Sequence, residues 1–479
     1  MTQGSPAAGQ PDAVAQPGGN LISLGTIQVF RLVSGMAVNV MVMRGLGVEG
    51  FGVYGYVTTL VGLASFGASM GMDRLLKREI ARDERSAGRY VATAVAASTL
   101  LSFVTSAFIL GWATLMDGRP VVVAACALAS LAMAIGSLDV IPVAYFHAIR
   151  RMNLGVSGNG AGRLALVLGT AVGLWLSYGV LAVFGAQVLD AAVTFVILWR
   201  IYRALKTPPL ATTWREVTTL IRTAIPFGFN SLFVSIYLTV DVLLLARWWD
   251  DAEVGTYRGA VMLLTMITVV AETYSTGVFP RMARHLGNRE EAGRELSFAA
   301  RILLVISVPV AVGGWLTAEP LLVFVGGEDY AASALPFAIM APLLPLRFLS
   351  NGYGMTLTAL DHQEDRTRGA LYAAALNVAV NLWAIPAYGA VGAAGTTLLT
   401  ELMLYLWMQW RVLPLVTGLG LGPTVLRVAV PSVTMAVAIV LLPPLHVVLT
   451  IGAGAMVYLA VGVATGAIRR SDPSRLRGV

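Results

Sequence analysis

Stretches of about 20 apolar residues, separated by short polar segments, follow one another along most of this chain. Each stretch is long enough to cross the roughly 30 Å hydrocarbon core of a bilayer as a helix. Hydrophobic residues make up 57% of the chain and charged residues only 12%, whereas a soluble domain carries about a quarter charged residues. A chain with so little charge needs lipid as the solvent for most of its surface. The sequence therefore predicts an all-α polytopic membrane protein.

The apolar stretches define about 14 predicted transmembrane helices. We place them at 21–43, 51–72, 90–116, 120–146, 155–177, 179–199, 219–246, 255–280, 297–318, 332–360, 369–387, 389–410, 424–443 and 446–467. The connections inside 155–199 and 369–410 are very short. The 50 glycines of the chain fit closely packed membrane helices.

The two halves of the chain resemble each other. An Arg, Gly and Tyr group returns 203 residues later, where Arg44, Gly52 and Tyr54 match Arg247, Gly255 and Tyr257. A second group also occurs twice, where Tyr178-Gly179, Asp190 and Trp199-Arg200 match Tyr388-Gly389, Glu401 and Trp410-Arg411. Duplicated halves in a very apolar chain are typical of transporters, whose substrate site lies between the halves.

The duplication predicts two lobes of six helices each, at 21–200 and 219–411. An even number of helices preserves the orientation in the membrane, so a pseudo-two-fold axis along the membrane normal should relate the lobes. A linker at 201–218 joins them. Two further helices within 424–467 lie outside the repeat.

Lys and Arg residues concentrate in alternate connections. With the N-terminus in the cytoplasm, 26 of the 33 basic residues fall on the cytoplasmic side, as expected for membrane proteins. The opposite side receives Arg44, Arg119, Arg247 and Arg258. Residues 1–20 are predicted to be a disordered cytoplasmic tail, since they lack the basic and apolar regions of a signal peptide, and 468–479 a second cytoplasmic tail. This asymmetry also explains the net charge of +7 without nucleic acid as a partner.

Common signatures of catalysis, metal binding and ATP binding are absent from the sequence. Cys126 is the single cysteine and lies in an apolar stretch, where a small core residue is typical. The four histidines, His147, His285, His362 and His446, show no metal-binding spacing. The segment 418–422 lacks the preceding strand and following Lys of a phosphate loop. We therefore predict no catalytic residues and no metal, and transport driven by an ion gradient, the membrane potential or the substrate gradient.

Charged residues inside the predicted helices are the strongest functional candidates. A charge at the bilayer centre costs at least about 2.5–3.5 kcal/mol unless it faces water or a partner. The bases are Arg31, Arg163 and Arg347, and the acids are Asp139, Asp190, Asp241, Glu272 and Glu401. We favour structural ion pairs, or positions near a membrane edge, for Asp190, Glu401 and Arg163. We favour a cavity between the lobes for Arg31, Arg347 and Asp241.

A cavity lined by arginines would suit a diphosphate, because the guanidinium fork matches phosphate oxygens and attraction is strong at low dielectric. The predicted substrate site contains Arg31, Arg347 and Arg163, with Asn39, Asn230 and Asn351 as possible partners of a sugar. Such asparagines, and Asn377 and Asn381 with them, more commonly join membrane helices. Asp241, Asp139 and Glu272 are candidates to bind Na⁺ or a proton as the coupling ion, and no other cofactor is expected.

Several motifs then suggest a family. The first half contains GVEGFGVYGYV and SMGMDRLLKREIAR, and the second half contains Asp241-Val-Leu-Leu-Leu-Ala, Glu253-Val-Gly-Thr-Tyr257 and LLVFVGGEDYAASALP. From about residue 20 to 465 the chain resembles Wzx-type polysaccharide flippases of the multidrug/oligosaccharidyl-lipid/polysaccharide (MOP) exporter superfamily. The resemblance implies two six-helix lobes, often with two extra helices, and alternating access. It also implies a lipid-linked oligosaccharide as substrate, and a cavity lined by helix-1 arginines, to which Arg31 corresponds here.

Our interpretation is a transporter rather than an enzyme, in the bacterial cytoplasmic membrane with both termini cytoplasmic. It would flip a polyprenyl-diphosphate-linked oligosaccharide from the inner to the outer leaflet. We expect a monomer whose partners are membrane lipids and polysaccharide assembly machinery. Alternatives are a lipid II-type flippase and a MATE-like multidrug antiporter, although a cation exporter should prefer acids and aromatics over Arg. A membrane glycosyltransferase or polymerase would need a large outer loop, and all predicted outer loops are short.

Overall fold

The computed structural model describes residues 17–69, 71–83, 86–205, 211–283, 289–443 and 445–468, and all regular secondary structure in these ranges is helical. The α-helices are α1 (Pro17–Ser69), α2 (Met72–Arg82), α3 (Ala87–Met116), α4 (Pro120–Ala148), α5 (Leu154–Trp175), α6 (Val180–Ala204), α7 (Trp214–Trp248), α8 (Asp251–Ala283), α9 (Arg289–Leu316), α10 (Ala318–Gly326), α11 (Ala334–Met340), α12 (Leu343–Ala359), α13 (Gln363–Val412), α14 (Gly422–Leu441) and α15 (Val447–Ala464). A 3₁₀ helix at Glu328–Ser333 precedes α11, and another at Leu413–Leu415 follows α13.

Helix α1 is a hairpin in which one glycine reverses the chain. Gly47 has φ 65° and ψ −174°, a backbone conformation that residues with a side chain rarely adopt. Arg31 and Ser65, on opposite sides of Gly47, line the same cavity, although a straight helix would hold them roughly 50 Å apart. Helix α1 therefore supplies two antiparallel spans.

Helix α13 is a second hairpin, and its turn repeats one in the first half. Gly389 has φ 54° and ψ −133°, and Gly179, before α6, has φ 61° and ψ −146°. The Cα of Gly392 packs so closely on the carbonyl of Ala384 that a methyl group there would overlap it. The repeated Tyr-Gly pair of the sequence thus forms the same reversal in both halves.

The fourteen predicted spans are all found as helical segments. Helices α1 and α13 provide two each, α3 to α9 provide one each, and α14 and α15 one each. The remaining span is bent by 50° between residues 328–340 and 343–359. By length and composition, 8 of the described helices can cross a membrane, or 9 if that bent pair is one span. The predicted fold class is confirmed.

Two short helices lie where the sequence analysis placed connections. Helix α2 is amphipathic and buries Met72, Leu75, Leu76 and Ile80, the spacing that puts side chains on one helix face. Helix α10 follows α9 after a single residue and buries Leu322. Both are too short to span a bilayer, so a search for spans does not find them.

Element boundaries differ by a few residues from the predicted domains. Helix α1 begins at Pro17, within the predicted tail 1–20, and residues 1–16 and 469–479 lie outside the described part of the chain. Helices α6 and α7 extend into the predicted linker 201–218, of which residues 206–210 are likewise not described.

Two glycines of the repeat meet the opposite half of the chain in reciprocal contacts. A methyl group at Gly52 would overlap the carbonyl oxygen of Asp251, and a methyl group at Gly255 would overlap the carbonyl oxygen of Val48. Gly52 corresponds to Gly255 and Val48 to Asp251 at the 203-residue offset. When a two-fold axis relates two lobes, each contact between them occurs twice, with the two partners exchanged. The lobes, α1–α6 and α7–α13, therefore cross here with approximate two-fold symmetry.

This crossing lies at the end of the bundle that carries the turns at Gly47 and Gly389, which we call the hairpin end. Arg119 donates to Asp117, at 2.8 Å, and to Asp251 of the other lobe. The hydrogen bond from Arg119 lowers the pKa of Asp117, so that carboxyl group stays charged. Tyr330 donates to the carbonyl of Gly47 at 3.1 Å. Polar contacts therefore close the lobes together at the hairpin end.

Candidate functional site

A cavity of about 750 Å³ lies inside the first lobe, between α1, α4, α5 and α6. Glycines make room for it, because a methyl group at Gly35, Gly62 or Gly136 would meet no atom within 4 Å. The polar and charged residues in its lining include Arg31, Asn39, Tyr54, Asp139, His147, Asn159, Arg163, Gln187 and Asp190. The cavity is large enough for part of a sugar-phosphate ligand, since small-molecule pockets typically measure about 300–1,000 Å³.

Two guanidinium groups reach this cavity. Arg163 on α5 lies 3.5 Å from a carboxylate oxygen of Asp190 on α6. A methyl group at Gly162 would overlap the Asp190 side chain, so glycine is needed for the close approach of the two helices. Arg31 on α1 lines the cavity and is exposed, and its guanidinium has no hydrogen-bond or ion-pair partner among the described residues. In this cavity the charge of Arg163 is therefore neutralised by Asp190, whereas the guanidinium of Arg31 is free to bind a ligand as far as the described residues show.

Asp139 on α4 contributes a carboxyl group to the same cavity. Its side chain is buried, and its Oδ1 atom has no hydrogen-bond partner in the described part of the chain. An ionised carboxylate buried without a partner is costly, so such a group tends to take up a proton or a cation. Arg31, Arg163, Asn39 and Asp139, four of the residues predicted from sequence, thus meet in one cavity.

Arg347 occupies a different environment in the second lobe. Its Nε and Nη2 atoms both lie 2.9 Å from Oε2 of Glu401. Glu401 is buried and lies on α13 after the turn at Gly389, as Asp190 lies on α6 after the turn at Gly179. Arg347 is not among the residues that line the first-lobe cavity. The ion pair predicted for Glu401 is present, but its partner is Arg347, for which we had favoured a cavity between the lobes.

Asp241 lies buried on α7 at the centre of a hydrogen-bonded cluster in the second lobe. Tyr257 donates to Asp241, and its hydroxyl lies 3.2 Å from that of Thr397. Elsewhere in this lobe, on α13, Asn381 donates to Asn377 at 3.0 Å. Asp241 is thus held by hydrogen bonds and is separate from the cavity that contains Arg31.

The remaining predicted residues contribute less. Asn351 is half-buried on α12 and does not line the first-lobe cavity. The side chains of Asn230 and Glu272 lie outside the described residues. Arg258, which the charge pattern assigns to the outer connections, lies within α8 against Gly55 of the first lobe.

Tyr54, His147, Asn159 and Gln187 are four of the lining residues that were not predicted from sequence, and two of them follow a recognisable spacing. Asn159 precedes Arg163 by four positions and Gln187 precedes Asp190 by three, so each pair shares a helix face. Two polar residues at that spacing inside an apolar stretch indicate that one face of the helix is in contact with water. His147, at the end of α4, and Tyr54 carry no such signal.

Comparisons with known proteins identify the family. A family model described as polysaccharide biosynthesis protein matches residues 18–286. The chain belongs to this family. A second family model, MatE, matches residues 226–383, which lie in the second lobe.

Individual relatives agree with this fold. A probable low-salt glycan biosynthesis flippase, Agl15 of Haloferax volcanii, is 21% identical over 166 residues, which cover 34% of this chain and only 35% of that protein. The lipid II flippase MurJ in an inward closed conformation has a TM-score of 0.78 at 14% identity, covering 92% of this chain and 98% of MurJ. An inward-facing MATE family multidrug transporter has a TM-score of 0.59 at 15% identity, covering 83% and 98% of the two chains. The two solved structures show a shared fold.

Proposed function

We propose that this protein flips a polyprenyl-diphosphate-linked oligosaccharide across the cytoplasmic membrane by alternating access. The observation that carries the proposal is Arg31, whose guanidinium has no partner among the described residues and lines a large cavity together with a second guanidinium, that of Arg163. Burying an unpaired charge in lipid costs free energy, so such a group indicates a water-filled cavity and an anionic ligand. Family membership supports a glycan as the substrate, and the name of the Haloferax relative supports flipping.

In this proposal the substrate divides between the cavity and the lipid. The diphosphate accepts hydrogen bonds from Arg31 and Arg163, which suit phosphate because the guanidinium fork donates two parallel bonds. Asn39 and Asn159 on the cavity wall bind sugar hydroxyls. The polyprenyl chain stays in the bilayer, where each of its methylene groups remains solvated by lipid. No covalent step is required, and the protein acts as a monomer.

Energy coupling is assigned to Asp139, with Na⁺ or a proton as the ion. Its buried carboxyl group shares the cavity with Arg31, so neutralising it changes the electrostatic potential at the diphosphate. Asp241 is the second candidate, in the other lobe. The bias of basic residues supports cytoplasmic termini, and a cysteine introduced at Glu364 near the start of α13 should then react only with reagent supplied from the cytoplasm.

Substitution of Arg31 tests the proposal. Arg31→Ala should reduce transport at least tenfold, because a hydrogen bond to a charged group contributes about 1.5–3 kcal/mol. Arg31→Lys should restore part of it, since an ammonium keeps the charge but loses the fork. The measurement is accumulation of lipid-linked oligosaccharide in the inner leaflet, normalised to membrane protein level.

Arg294→Ala is the matched control, because Arg294 is an exposed arginine on α9 that pairs only with Glu290, one turn away, in the described structure. It should transport normally. Wild-type export by Arg31→Ala at a normal protein level would contradict the proposal.

A cation antiporter is the second candidate, favoured by the MatE match to residues 226–383. It predicts that cells expressing the protein export a lipophilic cation such as ethidium, and that Asp139→Asn abolishes this export. The diphosphate proposal predicts no ethidium export by the wild-type protein.

A further inference from the structure

A second cavity, of about 690 Å³, lies at the opposite end of the bundle from the hairpin turns. Its walls come from α2, the start of α3 and the start of α7. Helix α3 belongs to the first lobe and α7 to the second, so this cavity lies on the boundary between the lobes.

The lining is polar and basic. Three arginines, Arg78, Arg89 and Arg215, face two carboxylates, Glu79 and Glu216. Most of the remaining residues carry hydroxyl groups, namely Ser86, Tyr90, Thr93, Thr213, Thr219 and Thr223. Guanidinium and hydroxyl groups together donate hydrogen bonds to phosphate oxygens.

Both carboxylates are already engaged. Glu79 accepts a 2.8 Å hydrogen bond from Arg78. Glu216 caps α7 by accepting from the backbone N–H of Thr213 at 3.0 Å, and it also pairs with Arg89. Arg215 has no hydrogen-bond or ion-pair partner for its guanidinium among the described residues. Within the described part of the chain, the cavity therefore presents one arginine without a partner, Arg215, and one arginine, Arg89, that pairs with a single carboxylate.

The cavity lies at the depth of lipid headgroups. Exposed apolar side chains of α3 begin at Leu100 and Phe103, and Thr93 on the cavity wall precedes Leu100 by about 10 Å along the helix. Trp214, beside Arg215, is 67% exposed, and exposed tryptophans are typical of the membrane interface. The headgroup layer is roughly 5–8 Å thick on each side of the hydrocarbon core.

We propose that this cavity binds the phosphate of an anionic phospholipid, and that the bound phosphate competes with Glu216 for Arg89. The phosphate would accept from Arg89 and Arg215 on opposite lobes. Because the Arg89–Glu216 pair and the 2.7 Å contact between the hydroxyls of Thr93 and Thr212 join α3 to α7, lipid binding would loosen this connection between the lobes. Membrane composition would thereby influence how readily the lobes separate at this end.

Photolabelling tests the site directly. The full-length protein is placed in phosphatidylcholine nanodiscs that contain a photoreactive phosphatidylglycerol, and labelled peptides are identified by mass spectrometry. We expect labelling of α2, α3 and the start of α7, reduced about tenfold in the double variant Arg89→Gln, Arg215→Gln. The single variant Arg215→Gln breaks no ion pair between residues that the structure describes, so it should fold normally and lose labelling several-fold.

The matched control is Arg294→Gln, Arg368→Gln. These exposed arginines at the same end of the bundle each pair with a glutamate one turn away, and their loss should leave labelling unchanged. Equal labelling of both double variants would overturn the proposal. Labelling displaced by a polyprenyl diphosphate but not by excess unlabelled phosphatidylglycerol would also overturn it, and would assign the cavity to the transported lipid.

Competition is tested by Glu216→Gln, which frees Arg89 and should raise labelling several-fold. Unchanged or weaker labelling would refute the competition. This site is independent of the proposed function, because Arg31→Ala should abolish transport without changing phosphatidylglycerol labelling.

Discussion

At the scale of single residues, two ion pairs in the helical bundle differ in how much of each carboxylate side chain is exposed. Glu401 has 2% of its side chain exposed and lies 2.9 Å from Arg347, whereas Asp190 has 18% exposed and lies 3.5 Å from Arg163. In the first pair, water has almost no access to the carboxylate of Glu401. In the second pair, Arg163 and Asp190 both line the cavity, where water screens their charges.

Removing each acid should therefore have unequal effects on stability. Glu401→Gln should lower the free energy of unfolding by on the order of 2 kcal/mol, because the half-buried Arg347 loses the charge of its buried partner. Asp190→Asn should cost about 1 kcal/mol or less, the range for solvated pairs. Thermal unfolding of the purified variants in detergent measures the difference.

Equal losses, or a larger loss for Asp190→Asn, would contradict the assignment of a wet first-lobe cavity. The transport assay supplies an independent readout. Asp190→Asn should impair transport more than stability, because it removes the charge that balances Arg163 at the proposed diphosphate site.

The sequence was sufficient to place charged residues within helices, but not to predict which of them meet. Arg31, Arg163, Asn39 and Asp139 share one cavity, and their presence inside apolar spans was sufficient to select them. Arg347 lies in the other lobe beside Glu401. The face of a buried helix that turns toward a cavity depends on packing with several neighbours, and an all-apolar helix carries little periodicity to reveal it.

At the scale of elements, hydropathy was sufficient to find the spans, whereas the turns depend on single glycines. Gly47 and Gly389 reverse α1 and α13 without an intervening loop. In the sequence, the first turn is marked only by the short stretch 44–50 and the second only by Tyr388-Gly389. Helix α2 was missed for the opposite reason. Its many charged residues lower the hydropathy of this segment to that of a loop, and only the spacing of its buried residues reveals the helix.

The reciprocal glycines provide the prediction at this scale. Gly52→Ala and Gly255→Ala each place a methyl group where a carbonyl of the other lobe lies, so both should separate the lobes at the hairpin end. We expect faster labelling, from that side of the membrane, of a cysteine introduced at Val61 in a Cys126→Ser background. Both variants should also reduce transport.

Gly111→Ala is the control, since a methyl group at that position on α3 meets no atom within 4 Å. It should behave like the parent protein. Wild-type labelling in both Gly52→Ala and Gly255→Ala would show that the close approach is not needed to hold this end closed.

At the scale of the whole molecule, the lobes touch at both ends of the bundle. The hairpin end is closed by Arg119, Tyr330 and the glycine crossing. The opposite end is joined by α3 and α7, through the Arg89–Glu216 pair and a small apolar cluster that includes Val217. Alternating access requires that these two regions open in turn.

A disulfide across the second region should therefore stop the cycle. Thr93 and Thr212 place their hydroxyl oxygens 2.7 Å apart, close enough for cysteines at both positions to form a disulfide. In a Cys126→Ser background, Thr93→Cys with Thr212→Cys should lose transport under oxidation and regain it with a reductant. Each single cysteine variant should be insensitive. Full transport by the oxidised, cross-linked protein would contradict a moving α3–α7 contact.

The exchanged glycine contacts also bear on how such a chain can arise. If two separate copies of a six-helix unit met through this surface, each copy's glycine would receive the other's carbonyl, as in any isologous homodimer. Such a surface is complementary to itself, so a single patch on an unfused six-helix unit would be enough for two copies to assemble. A fusion of the two copies would make the pairing permanent and would leave the halves free to differ, as they do here in Arg31 of the first lobe and the Arg347–Glu401 pair of the second.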